Sequence, residues 1–252
     1  MIIEEILRST RERVAAIPAA PLPDHCPTPA RSLTAAICSC TDRIAIIAEV
    51  KYASPSGGRA ACTLPPEALA AGFAAAGAVA VSVLTEPSFF GGSAENLVRA
   101  RAAVSIPVLR KDFIIDERQV SETRAMGADA VLLIARILGD DLSRFVDAAH
   151  EVGLDALVEV RNRDEVEAAL ATEADLIGIN NRDLGTFRVD LSTTRRLADL
   201  VRDEGRLVVS ESGILWPYDV RSLCDCCDAF LVGSAIMNAR DPKRRLEGFV
   251  FA

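Results

Sequence analysis

After residue 40 the sequence repeats one pattern: a short apolar run, a polar turn, and a stretch rich in Ala, Leu, Arg and Glu. The eight apolar runs occupy residues 44–50, 79–84, 106–109, 130–134, 156–160, 176–179, 207–210 and 230–232. Consecutive apolar positions are typical of parallel strands that helices cover on both faces. Stretches between the runs carry apolar residues at helical spacing, as in 66–76, 117–126, 140–152, 164–171 and 192–203. Eight such units predict an α/β fold of the (β/α)₈ TIM-barrel type.

A doubly wound open sheet is the alternative fold for alternating strands and helices. That fold more often carries a Gly-rich fingerprint directly after its first strand, where phosphate groups bind. Here the first apolar run is followed by Ser54-Pro55-Ser56-Gly57-Gly58, which does not fit the fingerprint. The barrel is therefore the favoured prediction.

The first forty residues differ from the repeat. Residues 2–17 have the spacing of an amphipathic helix, prolines between 18 and 29 indicate a stiff connector, and residues 31–40 suggest a second short helix. A segment of this size is too small to hold a core of its own. We expect residues 1–40 to form a helical extension packed on the barrel, and residues 41–252 to form a single barrel domain.

Composition narrows the class of protein. The net charge is −8 and the pI is about 5.0, with no basic stripe, so nucleic acid is not an expected partner. No apolar run has the length that spans a membrane, and the first residues lack the order of a signal peptide. We expect a cytoplasmic protein that does not bind membranes, and a monomer.

The seven cysteines do not indicate a disulfide framework, because an odd number in a cytosolic chain leaves at least one thiol unpaired. Cys224 and Cys227 have the spacing of a metal-binding pair, but zinc needs two more ligands and the chain has only two histidines. We interpret the cysteines as small packing residues and expect no metal. The shortage of histidine also argues against a His-based triad.

Polar side chains cluster where the predicted strands end, and barrel folds carry their chemistry at the C-terminal strand ends. One set joins carboxylates, amines and an amide: Glu49, Lys51, Lys111, Glu159, Asn180 and Glu211. It suits proton transfer around a carbonyl and an amine. A neighbouring amine lowers the pKa of a lysine, and nearby carboxylates oppose that shift. Glu49 and Lys51 share one strand face, and a buried structural ion pair is their alternative interpretation.

A second set offers groups that bind phosphate: Ser54, Arg182, Ser212, Gly213, Gly233 and Ser234. Two pairs of Gly and Ser follow the seventh and eighth apolar runs, at the loops that bind phosphate in many barrels. Either pair by itself is compatible with an ordinary turn. The two pairs together favour a phosphate site. Phe90, Phe113 and Leu132 would supply an apolar wall for a flat ring, with ordinary core packing as the alternative.

These residues stand in segments that resemble the indole-3-glycerol phosphate synthase family of tryptophan biosynthesis. The segments are IAEVK at 47–51 with SPS at 54–56, LTEP at 84–87 with FGGS at 90–93, LRKDF at 109–113, GADAVLLI at 127–134, EV at 159–160, GINNRDL at 178–184, SESGI at 210–214 and LVGS at 231–234. Phosphate loops recur in several barrel families, so single segments carry little weight. The whole set in this order is specific, and it covers nearly all of the chain from Arg31 to Met237.

The resemblance implies the reaction. In this family 1-(2-carboxyphenylamino)-1-deoxyribulose 5-phosphate closes a ring, loses CO₂ and then loses water, without metal or cofactor. The resemblance implies that Lys111 is the general acid of ring closure and that Glu159 is the acid or base of dehydration. It implies that Lys51 pairs with the substrate carboxylate. Glu49, Asn180 and Glu211 would orient these groups and the sugar hydroxyls, and the phosphate set would hold the phosphate.

The sequence departs from the family pattern at Tyr52, where a basic residue is commoner, and at Gly57-Gly58, where the loop end is usually more polar. Two other functions stay open. A sugar-phosphate isomerase on the same barrel would want an Asp or Cys at the first and at the fifth or sixth strand ends. A barrel that only binds a phosphorylated ligand or a partner would have lost Lys51, Lys111 or Glu159, and all three are present.

Overall fold

Eight parallel strands close into a barrel in a computed structural model of the chain, which describes residues 2–17, 30–55, 57–183 and 185–252. The strands are β1 Ile46–Val50, β2 Ala53–Ser54, β3 Gly58–Arg59, β4 Ala80–Leu84, β5 Val108–Lys111, β6 Ala130–Ile134, β7 Asp155–Val160, β8 Leu176–Asn180, β9 Leu207–Glu211 and β10 Ala229–Val232. Strands β2 and β3 form a separate antiparallel hairpin, and the other eight form the barrel. The predicted (β/α)₈ fold is confirmed.

Helices follow the barrel strands and cover them from outside, and two further helices precede the first strand. They are α1 Ile2–Ala15, α2 Leu33–Cys38, α3 Pro66–Ala75, α4 Pro87–Phe90, α5 Ala94–Ala102, α6 Glu117–Ala125, α7 Ala135–Leu138, α8 Leu142–Glu151, α9 Arg163–Leu170, α10 Ser192–Arg202, α11 Pro217–Arg221, α12 Ser234–Met237 and α13 Pro242–Val250. None of the helices in the described part of the chain is long and apolar enough to cross a membrane.

Alternation along each strand divides the apolar residues into two clusters. In β1 the side chains of Ile46 and Ala48 pack outward against the helices, whereas Ile47 packs into the barrel interior. Because successive side chains point to opposite faces, Glu49 belongs to the inner face with Ile47. The inner face is therefore apolar at the bottom of the barrel and carries a carboxylate at its C-terminal end.

The N-terminal segment closes the bottom of the barrel and reaches its top. Leu33 and Ile37 of α2 are buried in the inner cluster, next to the first residues of several strands. Two backbone N–H groups at the start of α2 donate hydrogen bonds to the barrel. That of Arg31 donates to Asp129 and that of Thr34 to Asp155, both at 2.8 Å. Helix α1 buries Ile6 in the same cluster. The predicted proline connector lies outside the described residues.

Three four-residue helices and the hairpin were not predicted. Helices α4, α7 and α12 directly follow β4, β6 and β10, and each is too short to show a helical period in sequence. The hairpin occupies the loop after β1, where Tyr52 donates a hydrogen bond through its hydroxyl to the Leu64 carbonyl at 2.8 Å. These elements shape the rim at the C-terminal strand ends.

Candidate active site

A pocket opens at the C-terminal ends of the barrel strands, with a volume of about 990 Å³ that includes the space open to solvent. Its lining includes every residue that the sequence placed in a catalytic, phosphate or apolar set: Glu49, Lys51, Ser54, Phe90, Lys111, Phe113, Leu132, Glu159, Asn180, Arg182, Glu211, Ser212, Gly213, Gly233 and Ser234. Residues distant in sequence meet here because parallel barrel strands all end at the same rim.

Lys111 ends β5 and contacts two buried carboxylates. Its Nζ lies 2.8 Å from Glu211 Oε2 and 3.2 Å from Glu159 Oε2. Burial alone would lower the pKa of Lys111, but the charges of Glu211, Glu159 and Glu49 outweigh it and hold the pKa above its ordinary value. The nearby carboxylates therefore decide the direction of the shift in the pKa of Lys111. The pocket contains a charged amine at a fixed position.

Asn180 orients Glu159. Its Nδ2 donates to Glu159 Oε1 at 2.9 Å, and its Oδ1 accepts from the backbone N–H of Arg182 at 2.9 Å. The backbone donor decides which way the amide faces, because only the oxygen can accept from it. Both carboxylate oxygens of Glu159 are thus engaged, one by Asn180 and the other by Lys111.

Glu211 lies over Gly178 of β8, where a Cβ would overlap its Oε1. Its Oε2 contacts Lys111, whereas Oε1 is buried without a hydrogen-bond partner among the residues that the structure describes. Burial raises the pKa of Glu211 to about 7; Lys111 opposes this rise and Glu159 adds to it. This carboxyl group therefore changes charge within the pH range in which most enzymes work.

Glu49 and Lys51 form an ion pair at the end of β1, with Glu49 Oε2 2.6 Å from Lys51 Nζ. Glu49 is buried, and Lys51 is only partly exposed. Gly233 lies against the carboxylate, since a Cβ at this position would overlap Glu49 Oε2. Both residues line the same pocket as the Lys111 cluster and the loops that carry the Gly and Ser pairs.

Another part of the pocket lining is made of backbone and small side chains. Ser212 and Gly213 both have left-handed φ angles, 65° and 84°, and Gly233 directly precedes helix α12. Arg182 is half-buried here, and burial lowers its pKa although the charge of Glu49 opposes the shift. Its Nη1 donates to the Phe187 carbonyl at 3.1 Å. Consecutive N–H groups in left-handed turns and a guanidinium are typical anion-binding groups.

An apolar wall stands beside Lys111. The rings of Phe90 and Phe113 pack with centroids 6.0 Å apart and planes tilted by 40°, and Leu132 is buried nearby. Ile3 and Leu7 of α1 and Phe90 all pack against the inner cluster, which contains Phe113 and Leu132. The N-terminal helix thus packs against the same apolar cluster as the wall.

Several pocket residues were missed in the sequence. They are Leu84, Ile134, Phe187, Leu215 and Leu231. Leu84 and Ile134 are the register partners of Lys111 and Glu159, so their positions at strand ends would have found them. Phe187 lies in a loop with a left-handed φ of 59°, and no sequence pattern indicates that a loop residue turns toward the pocket.

A buried charge network behind Lys111 was also missed. Asp112 accepts hydrogen bonds from both terminal nitrogens of Arg13, at 2.8 and 3.0 Å, and from Thr85 Oγ1 at 2.6 Å. Arg110 adds a third partner at 3.1 Å. These donors hold the pKa of Asp112 below its ordinary value although burial alone would raise it. Helix α1 is thereby tied to the residue that follows Lys111.

The cysteines that the structure describes do not line the pocket. Cys226 and Cys227 have their sulfurs 3.9 Å apart, Cys224 is exposed, and Cys26 lies outside the described residues. Among the residues that the structure describes, no group of His, Cys, Asp and Glu is arranged to hold a metal ion.

Comparison with known proteins gives one consistent family. The model of the indole-3-glycerol phosphate synthase family matches residues 3–249. Proteins named indole-3-glycerol phosphate synthase are similar to this chain. The Bordetella pertussis protein is 51% identical over 78% of this chain and 76% of its own length. The corresponding values are 49%, 82% and 80% for Burkholderia ambifaria, and 43%, 96% and 95% for Laribacter hongkongensis. This chain belongs to the indole-3-glycerol phosphate synthase family.

Proposed function

We propose that this chain converts 1-(2-carboxyphenylamino)-1-deoxyribulose 5-phosphate to indole-3-glycerol phosphate, CO₂ and water, as an indole-3-glycerol phosphate synthase. The observation that supports this most directly is the pairing of two sites in one pocket. A charged lysine held between carboxylates and a cluster of loops that offers anion-binding groups line the same pocket. A substrate with a phosphate at one end and an aromatic acid at the other matches this arrangement.

The phosphate end fixes the position of the substrate. Ser54, Arg182 and the Ser212-Gly213 turn line one side, and Gly233-Ser234 at the start of α12 lines the other. Binding at this end places the sugar chain across the barrel mouth and the anilino ring against Phe90, Phe113 and Leu132. Holding both ends converts ring closure into a reaction between groups already in contact, which is a large part of what an enzyme contributes.

Ring closure needs a proton donor at the ketone, and Lys111 supplies it. The aromatic carbon that bears the carboxylate attacks the ketone carbon, and Lys111 protonates the ketone oxygen as the C–C bond forms. Loss of CO₂ then restores the aromatic ring. Glu159 and Glu211 both hold the Lys111 amine, which lies in the pocket lining.

Dehydration needs a base for one proton and an acid for the departing hydroxyl. Glu159 lies 3.2 Å from Lys111 and is oriented by Asn180. Between them, the two groups take the proton from the ring carbon next to nitrogen and protonate the hydroxyl formed from the ketone, which leaves as water while the C=C bond of the indole forms. Lys51 pairs with the substrate carboxylate before CO₂ leaves, and Glu49 holds its amine in place at 2.6 Å.

Lysine usage supports a chemical rather than a structural role for the amines. The chain contains three lysines, Lys51, Lys111 and Lys243, against 25 arginines (28 basic residues in total). Two of the three line the pocket, whereas the surface cations are almost all arginine. An arginine stays protonated in proteins, while an amine can give up a proton.

The sugar-phosphate isomerase is disfavoured because the corresponding strand ends carry Glu49, Lys51, Glu159 and Asn180 rather than Asp or Cys.

We also propose three features of the whole protein. Residues 1–40 act as an extension of a barrel formed by residues 41–252, the chain is a monomer, and it works in the cytoplasm. The described cysteines are free thiols, which suits a reducing compartment. Light scattering after size-exclusion chromatography tests the monomer, and a dimer mass would overturn that part.

The test of function is the fluorescence of indole-3-glycerol phosphate when purified protein meets the anilino-deoxyribulose phosphate, with chelator present. We expect a rise in the wild type. Lys111→Ala should lower kcat by ~10²–10⁴ while phosphate still binds. Lys111→Arg keeps the charge but donates no proton at neutral pH, so it should be similarly impaired. The exposed Lys243→Ala is the matched control and should keep wild-type kcat.

Other outcomes are equally informative. Phosphate binding without a fluorescence rise in the wild type would indicate a barrel that only binds its ligand. Neither binding nor turnover would direct attention to isomerase substrates. An unchanged kcat in Lys111→Ala would remove Lys111 from the mechanism.

A further inference from the structure

Next to the catalytic Asn180, a second asparagine faces the opposite way. Asn181 follows β8, its side chain is fully buried, and it does not line the pocket. Its Oδ1 accepts from Thr194 of α10 twice, from the backbone N–H at 3.1 Å and from Oγ1 at 2.8 Å. The backbone donor can only face the oxygen, so the orientation of the amide is determined.

The amide nitrogen of Asn181 then meets three oxygens of the next strand end. Nδ2 donates to Ser210 Oγ at 3.1 Å, to the Glu211 carbonyl at 3.0 Å and to the Ser212 carbonyl at 3.1 Å. The Glu211 carbonyl also accepts from the backbone N–H of Asn181 at 2.9 Å. Two successive carbonyls of one chain are therefore turned toward the same side chain.

Successive carbonyls of an extended strand alternate in direction, so this arrangement requires a special backbone at the residue between them. Ser212 has such a backbone conformation, with a left-handed φ of 65° that residues other than Gly rarely adopt. Such conformations persist where the surroundings over-determine them. The hydrogen bonds that Asn181 Nδ2 donates to the Glu211 and Ser212 carbonyls restrain this turn.

The direction of the carbonyls decides the direction of the neighbouring N–H groups. A trans peptide is planar, and its C=O and N–H point to opposite sides. Since the carbonyls of Glu211 and Ser212 face Asn181 on the β8 side, the N–H groups of Ser212 and Gly213 face the β10 side. That is the side on which Gly233-Ser234 lies, because β9 has β8 as one neighbour and β10 as the other.

We propose that Asn181 is a positioning residue for the phosphate site: it turns the Ser212 and Gly213 N–H groups toward the substrate phosphate, and Thr194 holds it in register. The proposal rests on the proposed function for the identity of the anion. Asn181 itself touches no substrate. Its effect should therefore appear in anion affinity far more than in the proton-transfer steps, which Lys111 and Glu159 carry out.

The experiment measures the Kd of inorganic phosphate by calorimetry, together with kcat and KM for the anilino-deoxyribulose phosphate. Asn181→Ala should raise the phosphate Kd and KM together by roughly 10- to 100-fold, because the two N–H groups lose their fixed direction. We expect kcat to change by less than about threefold, since the groups that move protons are untouched.

A pair of subtler variants keeps the test sharp if Asn181→Ala does not fold. Thr194→Val removes the hydroxyl that holds Asn181 and should raise both constants several-fold, whereas Thr194→Ser keeps the hydroxyl and should restore them. Thr172→Val is the matched control, because Thr172 is a buried threonine whose hydroxyl bonds to the Ala169 carbonyl, away from the pocket. It should lower stability without changing the phosphate Kd.

The proposal is overturned if folded Asn181→Ala or Thr194→Val binds phosphate as the wild type does, or if KM rises while the phosphate Kd does not. A change in the phosphate Kd of Thr172→Val equal to that of Thr194→Val would also overturn it, by attributing the effect to general destabilisation. Phosphate binding is measured without turnover, so failure of the proposed reaction in the wild type is a separate result.

Discussion

Two glycines lie directly beneath the carboxylates of the pocket. The Glu211 carboxylate packs against Gly178, and the Glu49 carboxylate packs against Gly233. A Cβ at either position would overlap a carboxylate oxygen. Gly178→Ala should push Glu211 away from Lys111 and lower kcat by roughly 10- to 100-fold, because small displacements of catalytic groups are costly. Steady-state kinetics checks this prediction.

Gly72 of α3 is the matched control, because nothing lies within 4 Å of a Cβ built on it. Gly72→Ala should keep wild-type kcat and raise the free energy of unfolding by ~0.5–1 kcal/mol, as expected for a helical glycine. Equal losses of kcat in both variants would contradict the account of Gly178.

Among the residues that the structure describes, Arg182 is the only arginine in the pocket lining, and we propose that it contacts the substrate phosphate. Arg182→Ala should mainly raise KM, because a contact to a non-reacting phosphate contributes equally to substrate and transition state. A guanidinium–phosphate contact contributes ~1.5–3 kcal/mol, which predicts a rise in KM of about 10- to 100-fold. A fall in kcat with KM unchanged would contradict the assignment.

Glu211 links stability to pH. Its pKa in the folded protein is raised to about 7 by burial, well above the ordinary value for a glutamate. Between the ordinary pKa of 4.5 and the raised pKa of about 7, Glu211 keeps its proton in the folded chain but has released it in the unfolded chain. The free energy of unfolding therefore falls as pH rises toward 7. Glu211→Gln stays neutral throughout. Its Tm relative to wild type should therefore increase from about pH 5 to about pH 8, and a constant difference would contradict this.

At the scale of elements, one contact joins α1 to β5. Arg13 binds Asp112 with both terminal nitrogens, and Asp112 is fully buried. Arg13→Ala leaves Asp112 with Thr85, Arg110 and the backbone N–H of Phe113 as partners. We expect a loss of ~1–3 kcal/mol in the free energy of unfolding, less than when a buried charge loses its sole partner.

The control for Arg13 is an exposed pair on α9. Arg163 lies 3.6 Å from Glu167, and both side chains are 64% exposed. Arg163→Ala should change stability by less than about 0.5 kcal/mol. Urea unfolding of both variants checks the difference, and an Arg13→Ala effect no larger than that of Arg163→Ala would show that α1 is held by its apolar face alone.

At the scale of the whole molecule, the bottom of the barrel is closed by a segment that precedes β1. Leu33 is fully buried in the inner cluster together with residues from several strands. Leu33→Ala should lower the free energy of unfolding by ~2–5 kcal/mol, as for other large-to-small core changes. Leu64, which is 50% exposed, is the control, and Leu64→Ala should have little effect.

Because one inner cluster joins the N-terminal segment to every part of the barrel, unfolding of Leu33→Ala should remain a single transition. The single tryptophan, Trp216, reports from the loop after β9, and far-UV circular dichroism reports on the helices. Separate midpoints for the two signals would show that residues 30–40 unfold independently.

The sequence alone determined the fold and the strand-end polar residues of the pocket, but not Leu84, Ile134, Phe187, Leu215 and Leu231. Apolar runs mark strands that are buried on both faces, and the parallel strands of a barrel all end at one rim. The sequence therefore predicts that Glu49, Lys111 and Glu211 lie close together. The short helices α4, α7 and α12 were not predictable, since one turn has no period.

Only the tertiary structure decided how the pocket residues act on one another. The pKa of Lys111 depends on two carboxylates 48 and 100 residues away in sequence, and whether burial or charge prevails depends on distances of about 3 Å. The roles of Gly178, Asn181 and Arg13 likewise come from contacts across strands. Sequence patterns record which face a residue occupies, whereas electrostatic and hydrogen-bond energies depend on the distance and direction between atoms that only packing brings together.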